Sequence, residues 1–176
     1  MKWLIASDLH GSFAACRTLI ASFLTEGADR MLLLGDLLYH GPRNPLPEEY
    51  DPQAVAALLN EYADSIVAVR GNCDAEVDQL LLSFPILSDY AVLSVGKRLF
   101  YATHGHKPFP ALCVGDALLY GHIHTPVMED REGILHLNPG SIALPKDGTR
   151  AGYLLLEEHS VRQVCLDGTE GTVLPL

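Results

Sequence analysis

The sequence predicts an α/β fold, and three observations carry that expectation. Over the first 75 residues short apolar runs alternate with stretches of helical periodicity, the mark of βαβ units and a mainly parallel sheet. Beyond residue 84 the runs are separated by hairpin turns, so the second half is expected to be rich in β-structure. No internal repeat, low-complexity tract or long linker divides the chain, so residues 1–176 are expected to form a single domain in which both halves share one core.

The elements follow in order. WLIAS at 3–7 is the first strand. Ser12 then stands as an N-cap, Phe13, Cys16, Ile20, Phe23 and Leu24 recur near helical spacing, and Gly27 supplies the stop. MLLLG at 31–35 is the second strand. The segment 39–52, YHGPRNPLPEEYDP, carries four prolines and reads as a long loop, either a functional cover or a rigid surface excursion. Asp51 and Pro52 make a cap and first-turn pair for a second amphipathic helix through Val55, Leu58, Leu59 and Tyr62. SIVAVR at 65–70 is the third strand, and a short helix is expected over AEVDQLLL at 75–82. Three hairpins complete the chain: AVLSV with RLFYA around Gly96-Lys97, PVMED with ILHLN around 131–133, and YLLLEE with VRQVCL.

Composition narrows the function. With 176 residues, 48% hydrophobic and 19% charged, the chain can bury a substantial core and is not of disordered type. A net charge of −10, with only 12 scattered Lys and Arg, argues against a nucleic-acid partner, because phosphate backbones are met by clustered cations. An anionic substrate here needs a cation, and a bound divalent ion can be the largest charge in a site. The first apolar run is broken early by Ser7 and Asp8, and no run approaches a membrane-spanning length, so a cytoplasmic location without membrane association is expected. Cys16, Cys73, Cys113 and Cys165 contain no CxxC pair and read as free thiols.

The chemistry lies in the residues just beyond each apolar run. LIAS leads to Asp8 and His10, LLLG to Asp36, VAVRG to Asn72, LFYAT to His104 and His106, and LLYG to His122 and His124. A strand ending in Gly121 can curl over, so that His122 and His124 face one point instead of opposite faces of a sheet. Taken singly, Asp8 and Asp36 read as caps or turn formers and Asn72 as a turn residue after Gly71. Their convergence decides for a metal, because ligands of α/β folds sit beyond the carboxyl ends of strands and one metal centre requires all of these residues together. The oxygen and nitrogen set without thiolate suits Mn²⁺, Fe²⁺ or Zn²⁺. Seven candidate ligands exceed one four-coordinate site, whereas two ions about 3.5 to 4 Å apart would absorb them.

The order DxH, GD, GN, H and GHxH resembles the calcineurin-like metallophosphoesterase superfamily. With HGPRN, RGNCD, THGH and NPGS, the layout is similar to its small bacterial phosphodiesterases over nearly the whole chain. The resemblance implies a four-layer α/β/β/α sandwich of two sheets flanked by helices. It also implies two divalent ions, Mn²⁺ first with Fe, Zn, Ni or Mg as the other choices. By the same resemblance Asp8, His10 and His124 hold the first ion, Asn72, His104 and His122 the second, and Asp36 bridges them while a hydroxide between the ions attacks phosphorus in line. His106, and Asn138 with Ser141 of NPGS, are placed to orient ligands, with a plain turn around Pro139-Gly140 as the alternative for the latter two.

One position departs from the pattern. Many members of the superfamily carry a histidine after GN that assists the leaving group, and this chain has Cys73, a weaker donor. Either Asp74, His106 or His40 replaces that acid, or the substrates need little leaving-group protonation. The reading is therefore a hydrolase of small-molecule phosphodiesters. Its rivals are a phosphomonoesterase or nucleotide polyphosphate hydrolase with the same ions, and a non-catalytic binding module of the same fold such as the phosphoesterase-like subunit of retromer. Eroded metal ligands would mark the last, and all seven are present here. Arg43, in the long loop, is the one cation named for the extra oxygens of a diester or monoester, and association into a homo-oligomer is left open.

Overall fold

The computed structural model describes residues 1–176, except for the side chain at position 170. Its elements are β1 (Trp3–Ala6), α1 (Phe13–Glu26), β2 (Arg30–Leu33), α2 (Pro52–Asn60), a 3-10 turn (Ala63–Ser65), β3 (Ile66–Ala68), α3 (Glu76–Gln79), β4 (Tyr90–Val95), β5 (Arg98–Thr103), β6 (Ala117–Leu119), β7 (Pro126–Arg131), β8 (Ile134–Pro139), β9 (Gly152–Glu157), β10 (Ser160–Cys165) and β11 (Glu170–Pro175).

The strands form two sheets, one ordered β11-β10-β9-β1-β2-β3 and the other β4-β5-β6-β8-β7. In the first, β1, β2 and β3 run parallel, as the early βαβ pattern predicts, while β9 joins β1 antiparallel and brings the C-terminal half into the N-terminal sheet. In the second, β5, β6 and β8 are parallel between antiparallel edges.

The central strands β9, β1 and β2 of the first sheet are buried on both faces, which explains their unbroken apolar runs. β1 sends Leu4 and Ala6 toward α1 and α2, where Cys16, Leu19, Phe23, Val55 and Leu59 meet them, and sends Trp3 and Ile5 into the space between the sheets. There they pack with Phe100, Leu119 and Leu137 of the second sheet. Strand alternation thus assigns neighbouring residues to two different cores.

The expected caps are in place. Ser12 Oγ accepts the Ala15 N–H at 3.2 Å, Asp51 Oδ1 accepts that of Ala54 at 3.0 Å, and Gly27 ends α1 in the left-handed conformation. The two-sheet sandwich stands as expected. α1 and α2 pack on the outer face of the first sheet, and on the second sheet Phe109 lies against Tyr120 at a ring-centroid distance of 5.3 Å. α3 is shorter than expected, because the Gln79 amide bonds Leu82 O, Phe84 O and Ile86 N and turns the chain out of the helix. β11 lay outside the sequence expectation, although Asp167-Gly168 before it is a hairpin signal. All four cysteines are free thiols. Among the described residues, no helix is long and apolar enough to cross a membrane.

Candidate metal centre

The parallel strands β1, β2 and β3 of one sheet and β5 and β6 of the other end on the same side of the sandwich. The residues just beyond them form one cluster. The two sheets are tied there by His104, whose Nδ1 lies 2.6 Å from Leu34 O, and by the backbone N–H of His122 on Asp8 Oδ2 at 3.0 Å, while the Gly121 N–H on His104 O at 3.0 Å extends the β5–β6 pairing within the second sheet.

The turns are tight. Asp8, His10, Asp36, His122 and His124 all have positive φ, and they are five of the eight non-glycine residues in that region, so backbone strain is concentrated at this end. This corrects the reasoning about Gly121: the curl over LLYGHIH is made by the two histidines themselves, at φ 69° and 62°. Gly121 is needed for space instead, since a Cβ there would collide with Ser7 Oγ and lie 2.9 Å from Asp8 Oδ2.

Three histidines have their tautomer set by the backbone. Nδ1 of His10, His104 and His124 lies 2.8, 2.6 and 2.7 Å from the carbonyl oxygens of Tyr39, Leu34 and Leu144. A carbonyl only accepts, so each Nδ1 carries the proton and a neutral ring presents a bare lone pair at Nε2. His10 Nε2 and His124 Nε2 nonetheless stand 3.1 Å apart, with Asp8 Oδ1 3.5 Å from the first and 3.2 Å from the second. Asp8 Oδ1 is buried and has no hydrogen-bond partner. One proton could serve only one of these acceptors, while a divalent cation serves all three. Donor atoms bonded at about 2.1 Å to one ion are separated by roughly 3.0 to 3.5 Å, so the donor set fits a metal.

A second group adjoins the first. Asp36 Oδ2 lies 3.4 Å from His104 Nε2 and 3.7 Å from His10 Nε2, between the two sets. Asn72 Oδ1 is 3.2 Å from His104 Nε2. His122 stands slightly apart, its ring 5.1 Å from that of His104 and its N–H on Asp8 Oδ2 at 3.0 Å. Three donor groups meet the spacing of a metal site, Asp8-His10-His124, Asp8-Asp36-His104 and, joining the two, His10-Asp36-Cys73.

The electrostatics favour positive charge here. Burial opposes ionisation of Asp8, but the His10 and His124 rings hold its carboxyl far below the usual range. Burial likewise opposes a charged His104, yet the Asp36 and Asp8 carboxylates raise it to about 9. Toward the rim, burial and the neighbouring His104 lower both His106 and His122.

The remaining sequence candidates divide. Cys73 lines the cavity over the centre, gives its backbone N–H to Asp36 Oδ1 at 2.8 Å, and has its thiol pushed up to about 12 by burial and the Asp36 charge. Asp74 is placed differently: its oxygens accept the N–H groups of Asp36 and Leu37, each at 2.9 Å, and of Gly71 at 2.7 Å. It anchors the Asp36 and Asn72 loops to one another and has no free oxygen turned to substrate. His106 adjoins His104 at 5.4 Å between rings, and His40 is held between Tyr39 and Tyr50; neither lines the cavity. Asn138 Nδ2 donates to Gly121 O at 2.9 Å and Ser141 Oγ to Asp8 O at 2.8 Å, so both steady the backbone of ligand-bearing turns.

The cavity above the centre measures about 390 Å³ and includes Arg43, which sequence reasoning could not place, and Lys146, which it missed. No local motif marks Lys146; its position follows from its N–H on His124 O at 3.2 Å.

Residues 1–160 match the family described as the calcineurin-like phosphoesterase superfamily domain. The chain is 46% identical to phosphodiesterase YfcE of Escherichia coli K12 over 171 residues, covering 95% of this chain and 93% of that one. It is 29% identical to the probable metallophosphoesterase YsnB of Bacillus subtilis, over 89% and 83% of the two chains. The solved structure of the E. coli phosphoesterase Yfce superposes with a TM-score of 0.95 at 44% identity, covering 99% and 98%.

Proposed function

The chain belongs to the calcineurin-like phosphoesterase superfamily, and from that premise we propose that it hydrolyses small-molecule phosphodiesters at a centre of two divalent metal ions. The observation that carries this reading is the convergence of the His10 and His124 Nε2 atoms on the unpartnered Asp8 Oδ1, a set of donors that one cation would satisfy together. Likeness to a phosphodiesterase at 46% identity supports the substrate class.

In this reading Asp8, His10 and His124 hold one ion, Asn72, His104 and His122 the other, and Asp36 touches both. Mn²⁺ is the first choice for an oxygen and nitrogen set of this kind, with Fe, Zn, Ni and Mg as alternatives. When bound, such ions neutralise developing charge on phosphoryl oxygens and lower the pKa of bound water. The protein's own share is orientation. Backbone carbonyls aim three imidazoles, Ser7 Oγ donates to Asp8 Oδ2 at 2.5 Å, and the Cys73 N–H turns Asp36. Next to Asn72 the cavity wall offers a leaving group the Cys73 S–H, a weak donor, while Asp74 is engaged and the rim histidines are biased toward the neutral form. A diester with a good leaving group suits such a wall better than an alkyl ester.

Protein treated with a chelator and verified metal-free by elemental analysis is expected to lose at least 100-fold in hydrolysis of bis(p-nitrophenyl) phosphate, as roughly the scale of a metal's contribution, and to recover it with Mn²⁺. Retention of the original rate by the stripped protein refutes the proposal. A phosphomonoester turned over faster than the diester would favour the rival substrate class.

A further inference from the structure

The cavity is larger and more cationic than a scissile phosphate requires. Ligand pockets of roughly 300 Å³ and above accommodate groups well beyond one phosphoryl, and this one measures about 390 Å³. Its lining contains no Phe, Tyr or Trp, and Pro42 and Ile123 are its only aliphatic members, so it offers little to an apolar arm. It does contain Arg43 and Lys146. Seven of the twelve Lys and Arg side chains pair with carboxylates among the described residues of this acidic chain, and these two pair with none.

Both cations are tethered to candidate metal ligands. The loop carrying Arg43 is held at one end by the His10 Nδ1–H on Tyr39 O at 2.8 Å and within by Asn44 Nδ2 on His40 O at 2.9 Å. Lys146 hangs directly from His124, through its N–H on His124 O. Whatever places the two histidines therefore also places the backbone from which the two exposed charges extend. An Arg offers a planar fork and a Lys a mobile point charge, a complementary pair for an oxyanion.

On the phosphodiesterase reading, we propose that the preferred substrate carries a second anionic group, a carboxylate or phosphate, on an arm of the diester, and that Arg43 and Lys146 bind it. They are specificity residues, acting on the arm rather than on the phosphorus.

The test uses three p-nitrophenyl phosphodiesters identical but for the end of the second arm: carboxylate, phosphonate or carboxamide. The Mn²⁺-loaded protein is expected to favour a charged arm over the carboxamide by about tenfold or more in kcat/KM, the scale of one charge-assisted hydrogen bond. Arg43→Gln and Lys146→Gln are each expected to shrink that ratio severalfold, and the double variant to bring it near one. A general loss of structure would lower all three rates without changing their ratio. Equal rates for the three in the unaltered protein, or a preference untouched in the double variant, overturns the proposal; carboxylate against phosphonate ranks the two anions. Calorimetry with analogues in which a methylene replaces the scissile ester oxygen reads the same preference without turnover. If no diester is hydrolysed but charged analogues still bind better, the hydrolase reading fails and the anion site stands; equal binding of all three analogues removes the site.

Discussion

At the scale of single residues, the two most informative side chains are Asp36 and Cys73. Asp36 Oδ2 lies within 3.7 Å of both His10 and His104, which belong to the two proposed ligand sets, whereas His10 is assigned to one set alone, with Asp8 and His124. Asp36→Asn, nearly isosteric, is therefore expected to lower metal stoichiometry and turnover more than His10→Ala does. Elemental analysis and steady-state rates check this, and two ions per folded chain with unchanged turnover in Asp36→Asn would remove the bridging assignment. Cys73 has a thiol pushed up to about 12. Burial and the adjacent Asp36 both disfavour the thiolate, so the group stays S–H and should add no limb to the rate profile between about pH 6 and pH 9. As a weak donor it leaves rates steeply dependent on leaving-group pKa, with nitrophenyl diesters far ahead of alkyl diesters. Cys73→Ser should change little, while Cys73→His, where it fits, should flatten the dependence, general acids being worth about 10²- to 10⁴-fold. A flat dependence in the unaltered protein, with chemistry rate-limiting, would mean that another group already protonates the leaving oxygen.

At the scale of elements, the turns after β1, β2, β3 and β6 matter more than the strands. Asp74 joins two of them by accepting three backbone N–H groups, while burial pushes its carboxyl up from the ordinary value. In Asp74→Asn the amide nitrogen cannot accept, so at least one of those donors is left without a partner. Each buried unsatisfied donor costs about 1 to 3 kcal/mol. A loss of stability of that size is expected in urea titrations, together with weaker metal binding, because one of the three donors belongs to Asp36. Unchanged stability and metal affinity would deny Asp74 its anchoring role. Gly71 points the same way, since a Cβ there would collide with the Asp36 carboxylate.

At the scale of the whole molecule, β9 bonds to β1 and the space between the sheets is filled from both halves of the chain. The protein is therefore expected to unfold in one calorimetric transition, and two separate transitions would divide it into domains. Metal bound only by the folded state should raise Tm. At a free ion concentration about 100 times Kd the stabilisation is about 2.7 kcal/mol. At roughly 2 to 4 °C per kcal/mol for a chain of this size, the increase is about 5 to 10 °C. A scan with and without chelator measures it, and an unchanged Tm at saturating ion would argue against a site formed by folding.

The sequence by itself determined the alternation of strands and helices, the caps at Ser12 and Asp51, and the register of candidate ligands at strand ends, because periodicity, capping and turn chemistry are local properties. Resemblance to a family supplied the two-sheet arrangement, which spacing does not contain. What the tertiary structure decided is contact across the chain. It engages Asp74 with backbone N–H groups, sets three histidine tautomers through carbonyls of Leu34, Tyr39 and Leu144, and brings Arg43 and Lys146 to one cavity. Backbone carbonyls have no signature in a residue string, and residues a hundred positions apart become neighbours only when two sheets pack and their strand ends meet.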